Sequence, residues 1–378
     1  MSATLDDSHE LYRQTCLRFA REKIEPHVVE WEEAETFPRE LYREAAQAGI
    51  LGVSFPEAYG GGGGDVLHSM IMIEALLTGG SSGLVASLGS LGIALPPVLF
   101  LGTEEQRLRF GPPVLSGEKI AALAITEPGA GSDVAGVTTR AERDGDSYLL
   151  NGSKLFITSG MRADYVTVLA RTGPDPHGGL TFFVVERGMP GFSASRALKK
   201  TGWWASDTAE LAFDNVRVPI ENRIGDEGSA FIALMRNFQN ERLALATYGH
   251  ATAEIVLADA IAYAKERRAF GRTLAGFQVT RHKLAEMATL VNAAKSFNYS
   301  VAHRVMAGEY LVAEVSMAKN FSSQIAQRVC YDAVQILGGM GYMRETRVER
   351  LSRDARLLPI GGGTTEIMNE IIAKSLNL

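Results

Sequence analysis

The hydrophobic period of this chain changes twice, and the change sets its fold class before any motif is considered. In the first third the apolar residues recur at helical spacing. Leu11, Phe19 and Ile24 do so among the charges of Leu5–Glu35, with Pro26 a break, and Pro38–Ala48 is a second helix ending at Gly49. Val66–Leu77 and Ser82–Phe100 are apolar, small-residue helices, the second interrupted by Pro96-Pro97. Short β-rich runs then take over: Thr138–Glu142 and Ser147–Leu150 about the Asp144-Gly145 turn, and Lys154–Thr158 after an Asn151-Gly152 turn. Tyr165–Ala170, Leu180–Glu186, Phe192–Ser195 and Glu210–Phe213 continue the pattern. From Ser229 the helical period returns, to about Arg268, then over Phe277–Ala307, Tyr310–Leu337 and Glu366–Ser375. The expectation is an α+β chain: an N-terminal helical domain over 1–120, a small antiparallel β domain over 121–226 and a C-terminal helical domain over 227–378.

At the first change of period stands Ala124–Gly136, AITEPGAGSDVAG. The run Ile120–Ile125 has the length of a buried strand and stops at Thr126, Glu127 and Pro128. Gly129 and Gly131 let backbone approach a ligand, and Thr126 and Ser132 add hydroxyls, so the turn suits an anion or a heterocycle. It suits a tight strand–turn connection equally well. Neither a GxGxxG nor a P-loop string follows the strand. The five glycines within Phe55–Asp65 read as a flexible surface loop.

With 378 residues there is room for two or three domains, and a net charge of −6 gives no reason to expect nucleic-acid binding. Cys16 and Cys330 form no CxxC pair, which points to a reducing, cytoplasmic setting, and no hydrophobic leader opens the chain. The seven histidines lack HExxH or paired ligand spacing, so no metal site and no membrane span are expected.

On the helix after Ser229, Phe231, Leu234, Met235, Phe238 and Leu245 form one apolar face. At about 100° per residue, Glu241 and Arg242 fall within roughly 60° of its centre at Phe238, whereas Arg236, Asn237, Gln239 and Asn240 lie well outside. Such a pair can mark the edge of the face or satisfy a structural ion pair. It can equally place a carboxylate in a dry pocket as a base, beside a cation for an anionic ligand. ERRAFGR (Glu266–Arg272) puts arginines at a helix end, where they complement the dipole or meet a pyrophosphate. QILGGMGY (Gln335–Tyr342) reads as a C-cap, and LPIGGGTTEI (Leu358–Ile367) as a glycine loop entering a helix N-terminus.

Taken in order, AITEPGAGSDVAG, NGSKLFITSG (Asn151–Gly160), ELAFDNVRVP (Glu210–Pro219), KERRAFGR, QILGGMGY and GGGTTEI resemble the acyl-CoA dehydrogenase family over essentially the whole chain. The resemblance implies a C-terminal four-helix bundle and FAD bound between subunits of a homotetramer. It also implies oxidation of an acyl-CoA to the trans-2-enoyl-CoA, as in fatty acid β-oxidation, with electrons passing to an electron-transfer flavoprotein. By position, Thr126 and Ser132 would border the flavin and the start of the CoA chain. Phe156 would lie against the isoalloxazine, where many members have Trp, and Thr158 near flavin N5. Arg267, Phe270, Gln278, Gln335, Gly338 and Gly339 would serve the neighbouring subunit's FAD, Thr364 and Glu366 would complete the dinucleotide site, and Arg242 would contact CoA.

One departure is informative. Many members carry the catalytic glutamate in a Tyr-Glu-Gly-Thr string, where this chain has Gly361 and Gly362. The isovaleryl-CoA and long-chain dehydrogenases share this feature and use a glutamate immediately before an arginine on the C-domain helix, which here is Glu241 before Arg242. Gly362 keeps the backbone N–H that, with a ribityl hydroxyl, would stabilise the thioester oxygen, so Gly362 and Glu241 are the expected catalytic positions. Glu241 would take the α-proton while the β-hydrogen leaves as hydride to N5, and an apolar pocket would raise its pKa from about 4.3. Missing side-chain volume at Gly361 and Gly362 favours branched or long acyl chains over butyryl. The competing readings are an oxygen-using monooxygenase or oxidase of the superfamily, in which a base glutamate is often lacking, and a non-enzymatic flavin-binding partner protein.

Overall fold

The computed structural model describes residues 5–378. Its first part is helical: α1 (Asp7–Phe19), a π-turn over Ala20–Ile24, α2 (Val28–Glu33), α3 (Glu40–Gln47), α4 (Val66–Leu77), α5 (Ser82–Leu88), α6 (Leu91–Ala94), α7 (Pro96–Leu101) and α8 (Glu104–Leu115). The Ser82–Phe100 run is thus three short helices, with Pro96 at the first position of α7, where its missing N–H costs nothing. Helix α8 carries Pro112 and Pro113 inside it, and no apolar period announced it. The glycine run is not a free loop: Gly62, Gly63 and Gly64 donate to the carbonyls of Gly52, Phe55 and Val53. A Cβ on Gly61 would stand 2.2 Å from Phe55 O, so backbone lies directly on backbone.

Both α1 and α4 open with an Asp-x-x-His capping box, Asp6 with His9 and Asp65 with His68. Their packing brings His9 Nε2 to 3.2 Å from Asp65 and sets the two imidazoles, tilted by 35°, with centroids 4.2 Å apart. Histidines with no pattern along the sequence therefore meet with Asp65 in space, their ring nitrogens within reach of carboxylates and cap backbone.

The middle part is an eight-stranded sheet: β1 (Ala121–Ala124), β2 (Arg140–Asp144), β3 (Ser147–Thr158), β4 (Tyr165–Arg171), β5 (Leu180–Glu186), β6 (Phe192–Ala197), β7 (Thr208–Pro219) and β8 (Arg223–Ile224). The order is β6-β7-β3-β2-β4-β5-β8, antiparallel apart from β4, which meets β1 and the start of β2 in parallel. Asn151-Gly152 is not a turn. Strand β3 runs through it, and the register against β7 shifts between Leu150 and Gly152, so a bulge absorbs the glycine. One face packs a core of its own around Tyr148, Leu150, Phe183 and Val218, while the other joins the helical core through Leu169, Phe182 and Val184.

Helices α9 (Ala230–Glu266), α10 (Gln278–Met306) and α11 (Val312–Leu337) pack on one another, and α13 (Thr365–Ser375) lies along α11, which makes the expected bundle. Short strands β9 (Arg268–Ala269) and β10 (Arg272–Thr273) link α9 to α10. A helix the sequence pattern did not reveal, α12 (Arg347–Ala355), ties the parts together. Arg347 holds Asp259 and Thr78 O, Arg350 holds Gly80 O, and Asp354 accepts from the N–H groups of Ser82 and Trp203. Polar residues outnumber apolar ones in α12, and its buried face combines Val348, Leu351 and Ala355 with two charged residues that have fixed partners, Arg350 and Asp354. Among the described residues no single helix is long and apolar enough to cross a membrane. The bent pair α5 and Leu91–Leu101 passes only jointly, and Leu84, Val85, Leu91, Leu95 and Val98 are buried in the core.

Candidate active site

The Thr126–Ser132 turn is fastened to β3 by a buried ion pair. Lys154 Nζ lies 2.8 Å from Glu127 Oε1 and also donates to Ile125 O at 2.8 Å. The second carboxylate oxygen accepts from Thr138 N and Oγ1, and Thr139 N completes the set. Burial would raise the Glu127 carboxyl, but Lys154 and these donors outweigh it and bring it down to about 2. Burial lowers the Lys154 ammonium to about 8, against the pull of Glu127. Leu155 N donates to Thr126 O at 2.8 Å, so the turn at Thr126 crosses β3 beside Phe156 and Thr158, and Ser132 lies exposed further along the same turn. Phe156 is 64% exposed at φ +62°, an unusual conformation for an aromatic residue. Gly129 and Gly131 border open space.

The second half of the site lies where α9 meets the Gly361–Gly363 turn. Gly362 has φ +63°, and a Cβ there would stand 2.5 Å from Leu245 Cδ1 and 3.4 Å from Glu241 Oε1. The turn is held by two cations: Arg242 Nε donates to Gly362 O at 3.3 Å, and Lys319 Nζ on α11 donates to Gly363 O. Gly361 N–H donates to Leu357 O, whereas Gly362 N–H has no acceptor among the described residues. Burial pushes the Glu241 carboxyl above its ordinary value, and Arg242 and Lys319 pull it back. The Arg242 guanidinium is buried and lies over the Phe238 ring at 5.6 Å. Asn237, expected outside the buried face, is itself buried. Its Nδ2 donates to Ile93 O, because α9 is packed by α6 and α7 as well as by the bundle. A groove of about 650 Å³ runs along α9, lined by Arg236, Asn240, Leu243, Glu309 and Tyr310 among others.

The remaining expected positions fall in two places. Arg267, Phe270 and Gln278 share the α9–α10 connection, where Phe270 is 96% exposed at φ +50°. Gln335, Gly338 and Gly339 end α11, with open space at both glycines. Thr364 caps α13 by accepting from Ile367 N, and its neighbour Glu366 is lowered by its own backbone N–H and by Thr364. Sequence reasoning missed Glu127, Lys154 and Lys319. The first two stand inside quoted strings, and the signal for the third is a lone lysine among small residues in SMAKNFSS.

The site thus pairs a turn of small hydroxylated residues laid against a strand with a partly buried carboxylate beside a glycine turn whose Gly362 N–H has no acceptor among the described residues. The chain matches the N-terminal domain of acyl-CoA dehydrogenase over residues 6–118, its middle domain over 122–216 and its C-terminal domain over 228–377. It belongs to the acyl-CoA dehydrogenase family, FAD-binding oxidoreductases acting on acyl-CoA. It is 41% identical over 371 residues to the mitochondrial long-chain specific acyl-CoA dehydrogenase of Sus scrofa, covering 97% of this chain and 86% of that one. A solved structure described as a probable acyl CoA dehydrogenase from Mycobacterium abscessus has TM-score 0.97 and 49% identity, covering 98% of this chain and 99% of its own. The butyryl-CoA dehydrogenase of Megasphaera elsdenii has TM-score 0.96 and 36% identity, with both chains covered in full.

FAD suits the residues present. The Thr126, Ser132 and Thr158 hydroxyls and the open faces of Gly129 and Gly131 leave donors and space at the turn and β3, and Gly338 and Gly339 border open space at the end of α11.

Proposed function

We propose that this enzyme oxidises an acyl-CoA thioester to the trans-2-enoyl-CoA with Glu241 as base. The observation that carries the reading is the placement of the Glu241 carboxyl beside the glycine turn, 3.4 Å from a Cβ position on residue 362. A thioester α-hydrogen is weakly acidic, so the reaction needs a base in a dry site and a donor to the carbonyl oxygen as charge develops there. Burial raises Glu241 towards useful basicity, and the free Gly362 N–H is that donor. Arg242 orients the turn through the Gly362 carbonyl and lies beside the groove through which the CoA part approaches. Thr126, Ser132, Phe156, Thr158, Thr364 and Glu366 hold FAD from this subunit, and Arg267, Phe270, Gln278, Gln335, Gly338 and Gly339 from its neighbour. When bound, the flavin supplies the acceptor for the β-hydrogen as hydride.

The volume expected to be free at Gly362 is filled by Leu245 and Glu241, whereas a Cβ on Gly361 would meet only Leu357 at ordinary contact distance, so room for a branched or longer acyl chain than butyryl rests on Gly361 alone. The 96% exposure of Phe270 in one protomer supports association into a tetramer that covers it. An electron-transfer flavoprotein as acceptor, a role in fatty acid breakdown and a cytoplasmic location complete the proposal. Anaerobic bleaching of the holoenzyme by palmitoyl-, isovaleryl- and butyryl-CoA tests it. Bleaching by the first two and weakly by the third is expected, and no bleaching by any acyl-CoA overturns it.

A further inference from the structure

Lys319 is fully buried on α11, and its ammonium makes its one side-chain hydrogen bond, among the described residues, to a carbonyl, that of Gly363. A buried ammonium without a hydrogen-bonded carboxylate costs free energy that an apolar side chain of similar length would not. The charged groups facing it are Glu241 and Arg242, both from α9. The turn offers only carbonyls. On the α13 side the neighbour Asn320 is anchored by uncharged partners, Thr365 O and Asn369 Oδ1. The carbonyls of the two successive left-handed glycines, Gly362 and Gly363, are thus gripped by cations from two different helices that both face one carboxylate.

We propose that Lys319 is a positioning residue for the reaction: its donor fixes the turn that presents Gly362 N–H, and its charge keeps Glu241 ionised in a dry site. The inference rests on Glu241 being the base. The two functions separate by substitution. Lys319→Gln keeps a donor and removes the charge, Lys319→Arg keeps both, and Lys319→Met removes both. Burial already lowers Lys319 to about 8, so its charge is held weakly enough for its environment to matter.

The test is the pH profile of anaerobic flavin reduction in the holoenzyme, using the faster of palmitoyl-CoA and isovaleryl-CoA, with Glu241→Gln alongside. An opposite charge near a carboxyl lowers its pKa by about one unit or more, so Lys319→Gln should move the acid limb up by about one pH unit. Lys319→Met should move it as far and lower the plateau further, because the Gly363 carbonyl is then unheld. In Lys319→Arg the limb should stay at its parental position. A loss of rate at every pH with an unmoved limb in Lys319→Gln reduces Lys319 to a structural residue and overturns the inference. Where Lys319→Gln does not retain flavin, Lys319→Arg decides: a displaced limb with charge and donor both present overturns it. If Glu241→Gln stays within a few-fold of the parent, the base assignment itself has failed, whatever the Lys319 variants do.

Discussion

Residues 241 and 362, which lie on different elements and far apart in sequence, meet in space: a Cβ on Gly362 would be in van der Waals contact with Glu241 Oε1, at 3.4 Å. Under the proposed mechanism a carboxylate at either position would face the substrate, and this chain has its carboxylate on α9. Replacing Glu241 with Gln keeps volume and removes the base, so flavin reduction by acyl-CoA should slow by at least ~100-fold while flavin content is retained. Moving the carboxylate back, as Gly362→Glu in a Glu241→Gly background, meets Leu245 Cδ1 at 2.5 Å and a φ of +63°. Partial recovery should therefore require Leu245→Ala as well. Stopped-flow reduction reads all three, and a Glu241→Gln enzyme within a few-fold of the parent rate removes the assignment.

The pair Glu127–Lys154 is expected to control flavin retention without touching substrate. Lys154→Met leaves a buried carboxylate without its cation, a change that costs about 3–5 kcal/mol. Thermal unfolding should occur at clearly lower temperature, with less flavin per chain, and Glu127→Gln added to Lys154→Met should recover much of both. Because Glu127 is held down to about 2, its contribution is complete above its ordinary value and fades as pH falls towards 2. A Lys154→Met protein that melts and binds flavin like the parent contradicts this.

The strands and long helices were legible because each has its own period, and the motif strings located the turn at Thr126 and the glycines at 361–363. What the sequence hid depends on partners far along the chain. Helix α12 carries only a short apolar stripe, Val348, Leu351 and Ala355, masked in the sequence by charges, because Arg350 and Asp354 are buried beside it with fixed partners. Asn151-Gly152 has turn chemistry, but pairing of β3 with β7 on both sides overrides it. The wheel found Glu241 and Arg242 yet excluded Asn237, because one wheel describes one buried face and α9 has several. Lys319 and Gly363 meet only through the packing of α11 against the last turn.

Phe270, nearly bare at φ +50° on the tip between β9 and β10, is expected to matter only in the assembly. Phe270→Ser removes little from a single protomer, so the unfolding temperature of flavin-free protein should change by no more than surface substitutions produce. Sedimentation and flavin titration should instead show weaker association and weaker FAD binding, both varying with protein concentration. Unchanged association and FAD affinity would detach Phe270 from the neighbouring subunit's site.

Asp354 gives the fold a pH dependence of unusual sign. Burial first, then the nearby Glu32 carboxylate, raises it from 3.8 to about 7, although Ser82 and Trp203 N–H groups donate to it. The folded chain therefore keeps a proton that the unfolded chain has lost between about pH 4 and pH 7. Stability from this group is complete below the unfolded pKa, falls as pH rises through that window, and is gone above the folded one. Asp354→Asn cannot titrate and stays neutral throughout, so the pH-dependent part disappears in the variant. Its amide still offers one oxygen to the two backbone donors, which costs the variant some stability at every pH. The unfolding temperature of the parent minus that of Asp354→Asn should accordingly be larger at pH 5 than at pH 8. Carboxylates that do not interact with Asp354 cancel in this difference, because both proteins contain them, and making the comparison in a Glu32→Gln background removes the one that does. A difference that is constant from pH 5 to pH 8 means that Asp354 is ionised in the folded protein at neutral pH.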